Sequence, residues 1–125
     1  MEGKNQYIEL KDLDAYIFAR QYSNFSWIIF KRLDWENKKV MGDQFIRSVD
    51  SVGANIAEGY GRYHYLDKNK FYFNARGSLL ESRHWGGLML ERQLITKEEF
   101  DIMVDYYIKI STKINRLIYI QANLN

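Results

Sequence analysis

Cysteine and proline are both missing from this 125-residue chain. Without cysteine, the chain has neither disulfide bonds nor thiolate metal ligands, which fits a reducing cytoplasm. The absence of proline favours long uninterrupted helices, because proline disrupts the hydrogen bonds of a helix interior. The hydrophobic runs, such as residues 27–30, are far too short to span a membrane. Residues 1–6 are polar and lack the apolar core of a signal peptide, so we expect a cytoplasmic protein with no membrane partner.

Neither sign of charge predominates, since the net charge is only +2. The excess is local: residues 67–94 carry five basic and three acidic groups, whereas the rest of the chain is balanced. A chain of this length buries about 65–70% of its unfolded surface, which is sufficient for one hydrophobic core. We therefore expect a single domain over residues 1–125.

Apolar residues recur with a helical period in four segments, and this pattern predicts an all-α protein. The predicted helices cover about residues 12–32, 41–60, 67–93 and 97–122. The second segment is the most regular, with apolar residues at steps of three and four along one face. Short connections between long helices favour an antiparallel up-down four-helix bundle.

Several polar residues and glycines predict where these helices begin and end. Asp12 and Asp67 are candidate N-caps, because a carboxylate accepts hydrogen bonds from the exposed amides of the first turn. Thr96 and Glu99 form a capping box in front of the fourth helix. Gly59 and Gly61 are interpreted as a stop signal after the second helix, since glycine readily takes the left-handed conformation.

The third predicted helix has a stripe of small residues that we expect to contact a neighbouring helix at close range. The stripe consists of Ala75, Ser78, Ser82 and Gly86. Small side chains allow two helix backbones to approach each other. Adjacent glycines at 86 and 87 weaken helix propensity by up to about 1 kcal/mol each, so a kink is expected there.

No residue pattern indicates catalysis, a cofactor or a metal. Glu81 and His84 have the spacing of a di-iron ligand pair, but the further carboxylates and second pair of such sites are missing. Glu81 is better interpreted as the partner of a basic side chain. Glu58 lies beside the apolar face of the second helix, where we expect a structural ion pair with Arg62 four residues later or, from another helix, with Arg76 or Arg83. We therefore predict a protein that is not an enzyme.

The most distinctive stretch, residues 60–76, interleaves basic residues with aromatic ones. Cations neutralise phosphates and exposed rings stack on bases, so the stretch is a candidate nucleic-acid interface. The alternative is that the rings fasten the turn between two helices while the cations are solvated. With the next basic residues along the third helix, the predicted nucleic-acid-binding residues are Arg62, Lys68, Lys70, Arg76, Arg83 and Arg92.

Two segments resemble a known family. Residues 44–62, which contain Asn55-Ile-Ala-Glu-Gly59, and residues 75–81, which contain Gly77-Ser-Leu-x-Glu81, are similar to the bundle proteins encoded within intervening sequences of bacterial 23S rRNA genes. The same family includes the accessory variability proteins of diversity-generating retroelements. The resemblance extends from about Leu13 to Leu117.

The resemblance implies a four-helix bundle assembled as a cyclic homo-oligomer, with a pentamer around a central pore as the expected form. It also implies RNA or DNA as a partner, because the retroelement members bind nucleic acid and associate with a reverse transcriptase. We therefore expect an oligomeric accessory protein that binds nucleic acid. The alternative from the sequence is a scaffold of the same fold that binds only protein.

Overall fold

The structure is a computed structural model that describes residues 8–124, and this part of the chain contains helices and no strands. The four long helices are α1, Asp14–Arg32; α2, Asp43–Tyr60; α3, Tyr65–Glu91; and α4, Lys97–Ala122. A 3₁₀ turn, Leu10–Asp12, precedes α1. A single helical turn, Trp35–Asn37, and a π-helical turn, Lys38–Gly42, lead into α2.

Each helix packs against the next one in the chain, and α4 closes the bundle against α1. Two ion pairs show that α1 and α4 run antiparallel. Arg32 at the end of α1 contacts Glu99 at the start of α4 at 2.6 Å, and Asp14 at the start of α1 lies 3.5 Å from Lys113 near the end of α4. The predicted all-α, up-down four-helix bundle is therefore confirmed.

The hydrophobic core consists of one face of each long helix. The face of α2 is the one that the periodicity predicts, with Phe45, Val49, Val52 and Ile56 all fully buried. The other helices contribute their own buried residues, which are Ala15, Ala19, Tyr22 and Ile29 from α1, Tyr72, Ala75, Leu79 and Met89 from α3, and Met103, Ile110 and Ile114 from α4.

Small residues lie where the helices approach each other most closely. A Cβ atom at Gly59 would lie 2.8 Å from Cε1 of Tyr72 and 3.0 Å from the carbonyl oxygen of Lys68, so α2 and α3 fit only around glycine. A Cβ atom at Gly86 would collide with the end of Met103 in α4. Ser82 is fully buried, whereas Ser78 is only half-buried. The predicted stripe is thus a contact seam at Ala75, Ser82 and Gly86, with Ser78 at its margin.

Ser82 also connects two helices that lie diagonally across the core. Its hydroxyl donates to the carbonyl of Leu79 at 2.6 Å and lies 2.8 Å from the hydroxyl of Tyr22 in α1. Because the single proton of Ser82 goes to the carbonyl, the Tyr22 hydroxyl is the donor to Ser82. Burial raises the pKa of Tyr22 to about 12, so this proton stays in place throughout the physiological pH range.

Two predicted N-caps are wrong, and one is confirmed. Asp12 lies in the 3₁₀ turn, and Leu13 occupies the N-cap position of α1. Asp67 lies within the first turn of α3, where its negative charge interacts favourably with the positive end of the helix dipole but its side chain does not cap the helix. At α4, the hydroxyl of Thr96 accepts from the Glu99 amide at 3.1 Å, and the Glu99 carboxylate accepts from the Thr96 amide at 2.9 Å.

The ends of α2 and α3 also differ from the prediction. Gly61 ends α2 with a φ of −79°, so the stop does not use a left-handed glycine, and Gly59 lies inside the helix. The left-handed residue is Gln93, with a φ of 62°, after α3. The amide of Leu94 donates to the carbonyl of Met89 at 2.8 Å, which completes a Schellman motif. The helix α3 passes through positions 86 and 87 without interruption.

The two glycines at positions 59 and 77 give opposite predictions for substitution by alanine. Gly59→Ala should lower the free energy of unfolding by about 1–2 kcal/mol, because its methyl group meets a ring and a backbone carbonyl. Gly77→Ala should raise it by up to about 1 kcal/mol, because nothing lies within 4 Å of the added atom and alanine is the better helix former. Urea denaturation measures both, and equal effects of the two substitutions would contradict the close approach of α2 and α3.

Candidate nucleic-acid interface

The six predicted cations do not form one patch. Arg62 and Lys68 lie at the junction of α2 and α3, Arg76 and Arg83 lie along the edge of α3 that faces α4, and Lys70 and Arg92 point elsewhere. The 100° rotation per residue explains this division, because positions 76 and 83 are seven residues apart and share a face, while position 92 lies on the opposite side from position 83.

Arg62 and Lys68 are engaged in holding the junction together. The Arg62 guanidinium donates to the Glu58 carboxylate at 2.7 Å, as predicted, and stands 4.8 Å from the ring centroid of Phe71. The Lys68 ammonium donates to the carbonyls of Tyr60 at 2.9 Å and Gly59 at 3.4 Å, at the end of α2. Partial burial lowers the pKa of Lys68. The geometry therefore favours a structural role for Lys68.

Arg76 and Arg83 are held in place by neutral partners. The Arg76 guanidinium donates to the side-chain oxygen of Asn115 in α4 at 2.9 Å, and Arg83 lies over the ring of Tyr107 at 4.9 Å from its centroid. Both side chains are exposed, and no carboxylate in the described part of the chain pairs with either. Neutral partners orient a guanidinium without cancelling its charge, so both arginines keep their full charge toward solvent.

A groove between α3 and α4 begins beside Arg83. It has a volume of 470 Å³, and its lining includes Leu80, His84, Gly87 and Phe100. Gly87 leaves this groove open, since nothing lies within 4 Å of the position that a Cβ atom would take. Arg83 therefore stands at the rim of an open groove, on the edge of α3 that it shares with Arg76.

Lys70 and Arg92 are exposed, and neither side chain has an ion pair or hydrogen bond within residues 8–124. Lys70 lies on the outer face of α3, close to Phe73 by helical position. Arg92 is the C-cap residue of α3, where a cation interacts favourably with the helix dipole. Lys70 is thus the freer of the two to meet a ligand.

The sequence interpretation missed a second basic and aromatic surface at the end of α1. Trp35 in the short helical turn is 74% exposed, and Lys39 in the π-helical turn stands 4.9 Å from its ring centroid. Lys38 lies 5.3 Å from the ring centroid of Phe30, which stacks on Trp27. The signal is present in the sequence as two tryptophans and three lysines between positions 27 and 39, but the candidate interface predicted from the sequence lies at residues 60–76 instead.

The remaining candidates for chemistry have structural partners. The Glu81 carboxylate accepts from the indole of Trp85 at 3.0 Å, so its expected basic partner is replaced by a neutral donor. His84 packs edge-on against the same indole. Within residues 8–124, no three metal-ligating side chains converge, and no helix is long and apolar enough to cross a membrane.

The fold and this arginine-lined edge define a four-helix bundle protein with a cationic face. A family model described as "23S rRNA-intervening sequence protein" matches residues 11–116. The chain therefore belongs to the 23S rRNA-intervening sequence protein family, as the resemblance indicated. A search among curated proteins finds no match.

A solved structure with a similar fold comes from Bacteroides thetaiotaomicron VPI-5482. It is described as a protein of unknown function from the S23 ribosomal protein family. The two chains are 24% identical, with a TM-score of 0.78, and the match covers 84% of this chain and 95% of the other. At this identity the likeness shows a shared fold.

Substitution of Lys68 and of Lys70 should distinguish a lysine that stabilises the fold from one whose side chain is simply exposed. Lys68→Met should lower the free energy of unfolding by about 1 kcal/mol, because two carbonyls at the end of α2 would be without their charged donor. Lys70→Met should change it by less than about 0.5 kcal/mol, as is usual for an exposed side chain without partners. Thermal or urea unfolding of the two variants checks this. If Lys68→Met leaves the free energy of unfolding unchanged, Lys68 is again a candidate ligand-binding residue.

Proposed function

We propose that this protein is a non-enzymatic, oligomeric bundle of the cytoplasm that binds RNA or DNA through the edge of α3 facing α4. The observation that carries the proposal is the pair Arg76 and Arg83, two exposed cations that neutral partners orient without neutralising. They are seven residues apart on one helix face, which places them about 10 Å from each other.

Two arginines are too few for tight binding by one chain. Each phosphate contact contributes modestly and is weakened by salt. A ring of identical chains would repeat the edge around an axis, and simultaneous contacts could raise the avidity by orders of magnitude. The proposal therefore joins nucleic-acid binding to self-association, with the pentamer as the expected assembly.

The outer face of α3 supports self-association. Leu66, Phe73 and Leu80 recur every seven residues and are 68%, 48% and 59% exposed. Such spacing forms a continuous stripe on a helix and is typical of a helix-helix contact.

The accessory role beside a reverse transcriptase is the finer form of the proposal, and it comes from the family resemblance. A gene for a reverse transcriptase next to this one would support it, whereas a surrounding 23S rRNA gene would favour a function connected with that intervening sequence. The alternative function is a scaffold that uses the α3 stripe for protein partners alone. Nucleic-acid binding separates the two.

A salt titration tests the arginine edge. The double variant Arg76→Gln, Arg83→Gln should weaken binding to mixed-sequence RNA and DNA. A plot of the logarithm of the binding constant against the logarithm of the salt concentration should also become less steep, by about 0.7 for each single-strand phosphate that the variant no longer neutralises. The matched control is Lys97→Gln with Lys109→Gln, which removes the same charge from α4 at residues already paired with Asp101 and Asp105. Absence of binding to either polymer at about 50 mM salt, where phosphate contacts are strongest, would favour the scaffold.

Light scattering tests the assembly separately. We expect a particle about five times heavier than the 15.0 kDa chain, and Leu80→Glu should dissociate it by placing a charge in the α3 stripe. Ile108→Glu is the control, because Ile108 is similarly exposed on α4 but lies outside that stripe. A monomer at every concentration would refute the oligomer, and equal effects of the two variants would remove the α3 stripe from the interface.

A further inference from the structure

The surface at the end of α1 has the composition of a base-stacking platform. Trp27 is 48% exposed and stacks on Phe30 with ring centroids 5.3 Å apart and planes inclined by 18°. Trp35 projects from the following turn and is the most exposed of the chain's three tryptophans. Exposed indoles are costly in water, and they commonly mark a binding surface.

Lysines lie beside the aromatic rings of this surface, and no carboxylate in residues 8–124 forms an ion pair with these lysines. Lys38 lies over Phe30 and Lys39 over Trp35, while Lys31 is exposed one turn after Trp27. The carboxylates of Asp34 and Glu36 are exposed in the same segment, and Asp34 accepts from the Asn37 amide at 2.8 Å without losing its charge. The lysines at positions 31, 38 and 39 outnumber these two acids. The platform therefore combines open aromatic faces with an excess of positive charge.

The backbone of this region is unusual in a way that shapes the platform. Residues Lys38–Gly42 form a π-helical turn, a rare conformation that is frequent at functional sites. The turn packs back onto α1, where a Cβ atom at Gly42 would lie 2.9 Å from Leu33 and 3.3 Å from Phe30. This close packing fixes Lys38 and Lys39 beside the aromatic rings.

We propose that the platform of Trp27, Trp35, Lys38 and Lys39 binds single-stranded RNA or DNA by stacking unpaired bases on the two indoles. A base has an aromatic face whatever its sequence, and its phosphates would meet the adjacent lysines. The inference rests on the proposed association with nucleic acid, but it uses other residues and a different mode. Bases in a duplex are already stacked on each other, so only this mode favours single strands over duplexes.

The test is binding of labelled U-rich RNA and T-rich DNA of about 12 nucleotides, compared with a duplex of equal length. We expect preference for the single strands and quenching of tryptophan fluorescence on binding. Trp27→Ala and Trp35→Ala should each weaken single-strand binding at least about fivefold and leave duplex binding unchanged. Tyr119→Ala is the control, because this exposed ring lies near the end of α4, at the opposite end of the bundle.

The outcomes separate this inference from the arginine edge. If Arg76→Gln with Arg83→Gln weakens binding while both tryptophan variants bind single strands like the wild type, the platform is refuted and the proposed function stands. If the tryptophan variants instead change the particle mass without changing single-strand affinity, the surface is an interface between subunits and the inference is overturned. A cooperative thermal transition should show that the variants are folded, with a slightly lower melting temperature for Trp27→Ala because it loses the stacking on Phe30.

Discussion

Close contact between helices at a few small residues is the constraint on which this bundle depends. Gly59 admits the ring of Tyr72, Gly86 admits the end of Met103, and Ser82 receives the hydroxyl of Tyr22. Each contact places a large side chain of one helix against a small residue of another. Since α3 takes part in all three, its position is fixed against α2, α4 and α1 at once. The edges and faces that α3 presents to solvent follow from this position.

The same constraint explains why a lysine lies near the start of α3. A cation in the first turn is unfavourable to the dipole of its own helix. At Lys68, however, the close approach of α2 brings the last carbonyls of that helix within reach, and the ammonium donates to Tyr60 and Gly59. The negative end of α2 thus compensates for the positive end of α3. This residue joins the two helices, so its charge is not evidence for a ligand.

Patterns confined to one segment were predictable from the sequence, and arrangements between segments were not. The apolar periodicity of α2 and the capping box at Thr96 and Glu99 are local, and the structure confirms both. Asp12 and Asp67 have the right chemistry for N-caps, but the N-cap positions fall at Leu13, one residue after Asp12, and at His64, three residues before Asp67. Gly59 was misinterpreted because a glycine needed for close approach and one needed for a turn are identical in sequence.

The candidate site shows the same limit. Composition identified the excess of cations, but only the fold shows that Lys68 is engaged, that Arg76 and Arg83 share an edge, and that Lys70 and Arg92 do not. The platform around Trp35 went unnoticed because its rings and lysines are spread over two helical elements and a π-helical turn. A search for charge alone favours the segment with the largest excess, whereas single-strand recognition needs rings and cations together.

The two proposed surfaces differ in what they require of the bundle. The arginine edge depends on α4, because Asn115 and Tyr107 hold Arg76 and Arg83 in position. The tryptophan platform depends on α1 and on the turns that follow it, where Gly42 sets the packing.

Arg32 and Glu99 connect these parts, since Glu99 both caps α4 and accepts two hydrogen bonds from Arg32 at 2.6 and 2.9 Å. These hydrogen bonds lower the pKa of Glu99, so the connection persists at neutral pH and weakens only when acid protonates the carboxylate. The two proposed surfaces therefore stay connected through Arg32 and Glu99 at neutral pH.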